Sequence, residues 1–155
     1  MIEFVENADR KEQICREILT ALPDWFGIPE NIVSYARECR ELPLWASTDG
    51  GRADGFIALK TTSRYTAEIC VMGVLPDRHR RGIGRELFGH LYEYAKRRGF
   101  EFIQVKTVKE GCYPDYDRTN AYYKALGFRE LECFPTLWDE QNPCQIYVMA
   151  VKQPE

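Results

Sequence analysis

The chain has 155 residues, 45% of them hydrophobic and 13% aromatic, enough for one well-buried core and short for two. A net charge of −3 and a pI near 5.5 argue against nucleic acid as the main partner, which usually leaves a basic domain. No run of about 18 apolar residues could span a bilayer, and Met1 opens straight onto the strand-like IEFVE. The expectation is a single cytoplasmic domain over residues 1–155 that engages neither membrane nor nucleic acid.

Residues 2–5 read as a short first strand. Asn7 or Asp9 can cap a helix running to about Leu22, with Ile14, Ile18 and Leu22 on its buried face and Cys15 and Leu19 beside them. Pro23 stops it. After the aromatic, glycine-bearing connection DWFGI, Pro29 opens a second helix that turns Ile32, Val33, Ala36 and Cys39 inward. Leu44 to Thr48 and Ala53 to Thr61 form two antiparallel strands around the turn Asp49-Gly50-Gly51. A third strand follows from Tyr65 to Val74. Both of its faces are apolar except at Glu68, the pattern of a central strand with one ionisable group on it. A buried carboxylate is costly unless paired, wet or functional, so Glu68 is either a strand-end group reaching solvent or a general base.

Beyond Pro76 comes the basic run DRHRRGIGR, which opens directly onto an amphipathic helix with Ile83, Leu87, Leu91 and Ala95 every fourth residue. Its first turn lies at Gly82 to Arg85. The unpaired N–H groups and partial positive charge of a helix start suit phosphate, and glycine there lets an anion come against the main chain. Arg78, Arg80, Arg81 and Arg85 add mobile cations around that cradle. Phe102 to Val108 is the next strand, EGCYPDYDRT a loop, and NAYYKALGF lies on a further helix. Two last strands fall near Arg129 to Phe134 and Gln145 to Val151, joined by the loop WDEQNP. The six cysteines show no CxxC and no matching His pair, so they read as reduced structural thiols and no metal site is expected.

The combination of apolar strand, proline, basic run, GxG and helix resembles the acyl-CoA-binding motif of the GNAT superfamily of N-acetyltransferases: Gln or Arg, two residues, Gly, one residue, then Gly or Ala. In HRRGIG the leading position is held by His79, a departure from that pattern. NAYYKALGF is similar to the superfamily's final motif, commonly FYxxxGF, which places Tyr123 at the tyrosine that protonates the departing thiolate. The Asn that usually precedes it by seven residues is Tyr116 here, and Asn120 is the nearby substitute.

The resemblance implies an α/β fold with a mixed, mostly antiparallel sheet flanked by helices, in which the strand at 65–74 splays from that at 102–108 to admit a pantetheine arm. It implies transfer of acetyl from acetyl-CoA to a primary amine of a small molecule or peptide, by direct attack in a ternary complex and without a metal. The catalytic candidates are Tyr123 as acid and Glu68 as base, the latter by its spacing of fourteen residues before Gly82. Cofactor contacts fall to Val74, Leu75, His79, Arg80, Arg81, Gly82, Ile83, Gly84, Arg85 and Asn120. Trp25 and Phe26 become candidate walls of the acceptor pocket. The acidic and aromatic segments Cys112 to Asp117 and Trp138 to Glu140 would favour a cationic amine there. Two other classes stay open: a non-catalytic acyl-CoA sensor or partner module, and a site for nucleotide or another phosphate. A homodimer through the apolar strand QIYVMAV stands beside its reading as an ordinary sheet member.

Overall fold

The computed structural model describes residues 1–153. Eleven regular elements follow in the order β1 (Ile2–Val5), α1 (Ala8–Thr20), α2 (Pro29–Cys39), β2 (Leu44–Asp49), β3 (Arg52–Thr61), β4 (Thr66–Val74), α3 (Ile83–Arg97), β5 (Phe102–Val108), α4 (Pro114–Leu126), β6 (Arg129–Asp139) and β7 (Asn142–Ala150). Seven strands, mostly antiparallel, and four α-helices make a mixed α/β fold, as expected. The chain forms two compact units, residues 1–60 with 69–94, and residues 61–68 with 95–153. Strand β4 contributes to both.

In the first unit the strand order is β1-β2-β3-β4. Its core gathers Ile14, Ile18, Leu19 and Leu22 from the first helical segment, Ile32 and Ala36 from α2, and Leu44, Phe56, Ala58 and Val71 from the strands. Of the two proposed caps, Asn7 takes the role: its side chain accepts from the Arg10 N–H at 2.9 Å. Two glycines set the packing distances. A Cβ on Gly73 would lie 2.9 Å from Leu22 Cδ1 and 3.1 Å from Ile18 Cγ2, so a larger residue there would make Leu22 shift. On Gly55 it would meet Ile83 Cγ2 at 3.1 Å and Leu87 Cδ1 at 3.3 Å, which lets β3 seat the first turn of α3.

In the second unit the order is β4-β5-β7-β6. Strands β4 and β5 run parallel through Thr66↔Phe102, Ala67↔Ile103 and Glu68↔Gln104. QIYVMAV, up to Ala150, lies in β7, which pairs with β5 on one side and β6 on the other and is therefore an interior strand. Two boundaries depart from the sequence reading. Helix α4 starts at Pro114 rather than near Asn120, because Pro114 occupies its first turn with Asp115 and Asp117, both favourable at a helix N-terminus. The β6–β7 connection shrinks to Glu140-Gln141, because Asp139 Oδ1 accepts from the Gln141 and Asn142 N–H groups and closes a tight turn. Trp138 and Asp139 are thus strand residues.

Candidate functional site

The first unit holds the anion cradle. After β4 the chain makes one 3-10 turn at Pro76–Arg78, and α3 begins at Ile83. Arg80, at φ +66°, is the one non-glycine residue with positive φ among the described residues, and Gly82 follows at φ +79°. Left-handed backbone at a non-glycine residue is uncommon and persists only where the surroundings enforce it. Arg80, Arg81, Gly82 and Arg85 are exposed, so the loop and the first turn of α3 are open to an incoming anion.

Two side chains fix this loop. His79 donates from Nε2 to the Val74 carbonyl at 2.7 Å, and its ring meets the Trp25 ring edge-on at 6.0 Å. The residue at the departing position of the motif thus binds the end of its own strand. The Leu75 N–H is likewise engaged, donating to the Asp54 carbonyl at 2.8 Å. Arg78 is not the mobile cation expected. Its Nη1 lies 2.9 Å from Asp49 Oδ2 and 4.0 Å from Asp54 Oδ2, and its Nε lies 3.9 Å from Asp77 Oδ2. Phe26 packs edge-on against Tyr35 at 6.1 Å, beside the first unit's core.

The second unit holds both proposed catalytic residues. Tyr123, on the face of α4 turned to the sheet, is 5% exposed, with ring centroids of Phe128 at 5.7 Å and Tyr147 at 6.1 Å. Glu68 is 4% exposed. Its Oε1 accepts from Gln104 Nε2 at 2.5 Å and from the Thr62 hydroxyl at 3.4 Å, and Lys106 Nζ stands 3.6 Å away. The strand-end reading, in which Glu68 reaches solvent, is not what the fold gives.

Asn120 is fully buried. Its Nδ2 donates to the carbonyls of Val108 at 2.9 Å and Tyr116 at 2.7 Å, while its Oδ1 accepts from the Tyr147 hydroxyl at 2.6 Å. An amide offers two donors and one carbonyl oxygen, and here each is used inside the unit. Each polar atom of Asn120, expected to contact the cofactor, is thus engaged within the unit. Much of the acidity expected to line an acceptor pocket is also spent locally: Asp115 pairs with Arg118, Asp117 accepts from the Gly111 N–H at 2.6 Å, and Asp139 closes its turn.

The sequence matches the Acetyltransferase (GNAT) family over residues 11–128. The chain belongs to the GNAT acetyltransferase family. Among GNAT relatives, an uncharacterized N-acetyltransferase, YsnE of Bacillus subtilis, is 26% identical over 102 residues, a match that spans 66% of this chain and 66% of that protein. The GNAT fold is shared with an aminoglycoside 6'-N-acetyltransferase complexed with coenzyme A, at TM-score 0.80 and 15% identity over 100% of this chain and 99% of that one. It is shared as well with the ribosomal-protein-S18-alanine N-acetyltransferase of Escherichia coli, at TM-score 0.77 and 20% identity over 100% and 96% of the two chains.

Sequence reasoning missed Asp54 and Gly55. Asp54 is buried where the β2–β3 register shifts, between the pairs Ser47↔Gly55 and Thr48↔Ala53, a break in alternation that no local pattern announces.

Proposed function

We propose that this GNAT protein transfers the acetyl group of acetyl-CoA to a primary amine of a small molecule or peptide, directly and without an acyl-enzyme. The observation that carries the reading is the loop between β4 and α3, where Arg80 and Gly82 adopt left-handed backbone ahead of a fifteen-residue helix and Arg80, Arg81, Gly82 and Arg85 are exposed. Such a loop fits a pyrophosphate, which suits coenzyme A as carrier of the acetyl donor. The main chain from Arg80 to Arg85 would take the phosphates, with Arg80, Arg81 and Arg85 as flanking cations. The strand end at Val74 and Leu75 would direct the pantetheine arm, although the Val74 carbonyl must first exchange His79 for it.

The amine nitrogen attacks the thioester carbonyl carbon, the C–S bond breaks, and the leaving thiolate takes the phenol proton of Tyr123. An alkylamine has a pKa of about 10.4 and must lose a proton to attack. Glu68 is the carboxylate expected to receive it, but its Oε1 is already held by Gln104 and Thr62. Those bonds support a role in fastening β4 to β5, with the proton leaving through water. The acceptor class is drawn from the family: an aminoglycoside for one of the structures described above and a ribosomal-protein alanine for the other.

The deciding experiment combines ligand-induced stabilisation with turnover. A ligand at 100 times its Kd adds about 2.7 kcal/mol of stability, which should appear with acetyl-CoA and not with ATP. Thiol release is then screened across amines and N-terminal peptides. Stabilisation without thiol release from any amine would favour a sensor or partner module; equal stabilisation by ATP would mean a general phosphate site.

A further inference from the structure

From the contacts of Arg78 we infer that Asp54, with Arg78 and Asp49, is a positioning clamp that sets the shape of the phosphate loop without touching the ligand. This rests on the reading of that loop as the coenzyme A cradle.

Asp54 lies in β3, 6% exposed, one residue before the glycine that seats α3. Its main chain and side chain act on the same short segment. The carbonyl accepts from the Leu75 N–H at 2.8 Å, which fixes the point where β4 leaves the sheet. The carboxylate faces Arg78 three residues later, with Oδ2 at 4.0 Å from Nη1. Its Oδ1 is buried without a hydrogen-bond partner among the described residues. A buried carboxylate with one oxygen unpaired is a net cost to folding and needs a reason for being kept.

The reason is found in the loop. Arg78 is drawn toward β3 by Asp54 and toward the β2–β3 turn by Asp49, at 2.9 Å, with Asp77 alongside. The next residue, His79, is bound to the Val74 carbonyl on the other side. Consecutive residues are therefore anchored in two places, and the chain reaches Gly82 by taking Arg80 through left-handed backbone. That conformation is unfavourable for arginine on its own, so the anchors on Arg78 and His79 are what hold it. Arg78, which composition alone would count among the phosphate ligands, is paired with Asp49 at 2.9 Å, has Asp77 and Asp54 at 3.9 and 4.0 Å, and serves as the pivot.

Simple electrostatics and the clamp predict opposite signs. Removing a carboxylate beside a polyanion site should tighten binding if charge alone matters. If Asp54 shapes the loop, its removal should weaken binding. The test is titration calorimetry of coenzyme A with the wild type and with Asp54→Asn, Asp49→Asn, Arg78→Ala and the Arg78→Ala/Asp54→Asn pair. Asp54→Asn is expected to weaken coenzyme A about tenfold. The double variant should be no weaker than Arg78→Ala alone, because both act through one contact. Turnover with S-acetyl pantetheine, which lacks the nucleotide, should be unchanged in Asp54→Asn, whereas general loosening of the fold would lower it as well. Should Asp54→Asn fail to fold, Asp49→Asn carries the test, since Asp49 is 62% exposed and its loss must still weaken coenzyme A. Unchanged or tighter coenzyme A binding in Asp54→Asn, or in Asp49→Asn where it stands in, overturns the clamp. No binding by the wild type would instead remove the cradle reading on which it stands.

Discussion

Glu68 and Gln104 face each other in the last residue pair of the parallel β4–β5 register, and their side chains are joined by a 2.5 Å hydrogen bond. Strand pairing and side-chain pairing thus coincide at one position, with Lys106 two residues further along β5 adding its charge at 3.6 Å. A carboxylate held this way fastens β4 to β5. Glu68→Gln should lower the thermal midpoint by several degrees, in proportion to a loss of about 1–3 kcal/mol from the charged partner. Its kcat should stay within a few-fold of wild type. A loss of kcat of about 10²-fold or more, together with disappearance of the acidic limb of the pH–rate profile, would restore Glu68 as the base.

Tyr123→Phe keeps the ring against Phe128 and Tyr147 and removes only the hydroxyl. If the phenol delivers the proton to the thiolate, kcat should fall by about 10²-fold or more, with the Kd for coenzyme A unchanged. Stopped turnover assays beside calorimetry separate the two quantities. Full activity in this variant would remove Tyr123 from the chemistry.

Asn120→Ala removes a donor to the Val108 and Tyr116 carbonyls and the acceptor of the Tyr147 hydroxyl in a fully buried place. Denaturant unfolding should show a loss of about 2–4 kcal/mol, while the folded fraction binds coenzyme A with wild-type affinity. Weaker coenzyme A binding at unchanged stability would return Asn120 to the cofactor site.

Alkaline pH should destabilise the fold. Burial raises the thiol pKa of Cys70 and Cys144, Cys39 is raised by its hydrogen bond to Cys15 and by burial, and burial raises the Tyr147 phenol. In each case the folded chain holds its proton to higher pH than the unfolded chain does. Stability from these groups is complete below the unfolded thiol value of about 8.5 and is lost as pH rises above it. The thermal midpoint should therefore fall steadily from about pH 9 upward, and Cys70→Ser should reduce the slope.

Much of the fold was legible in local sequence. Pro29 marked the start of α2, the glycine pair Gly50-Gly51 marked the β2–β3 turn, and the four-residue recurrence from Ile83 to Ala95 marked α3. Both displaced boundaries carry a local signal of their own. Pro114 followed by two aspartates announces a helix as clearly as Pro29 does, and Asp139 ahead of Gln141 and Asn142 announces a tight turn.

The site divides along another line. By itself the sequence determined the loop HRRGIG, its place between a strand and a helix, and the tyrosine motif on α4, because these depend on backbone preferences and spacing over a few residues. Only the tertiary structure decided which polar groups are still available. Glu68 meets Gln104 across 36 positions and Asn120 meets Tyr147 across 27, while Arg78 turns back onto Asp49 and Asp54. The physical reason is that a hydrogen-bonding group can be used once. Its chemical type is written in the sequence, and its partner is fixed by strand register and helix packing, which join residues that no local pattern relates.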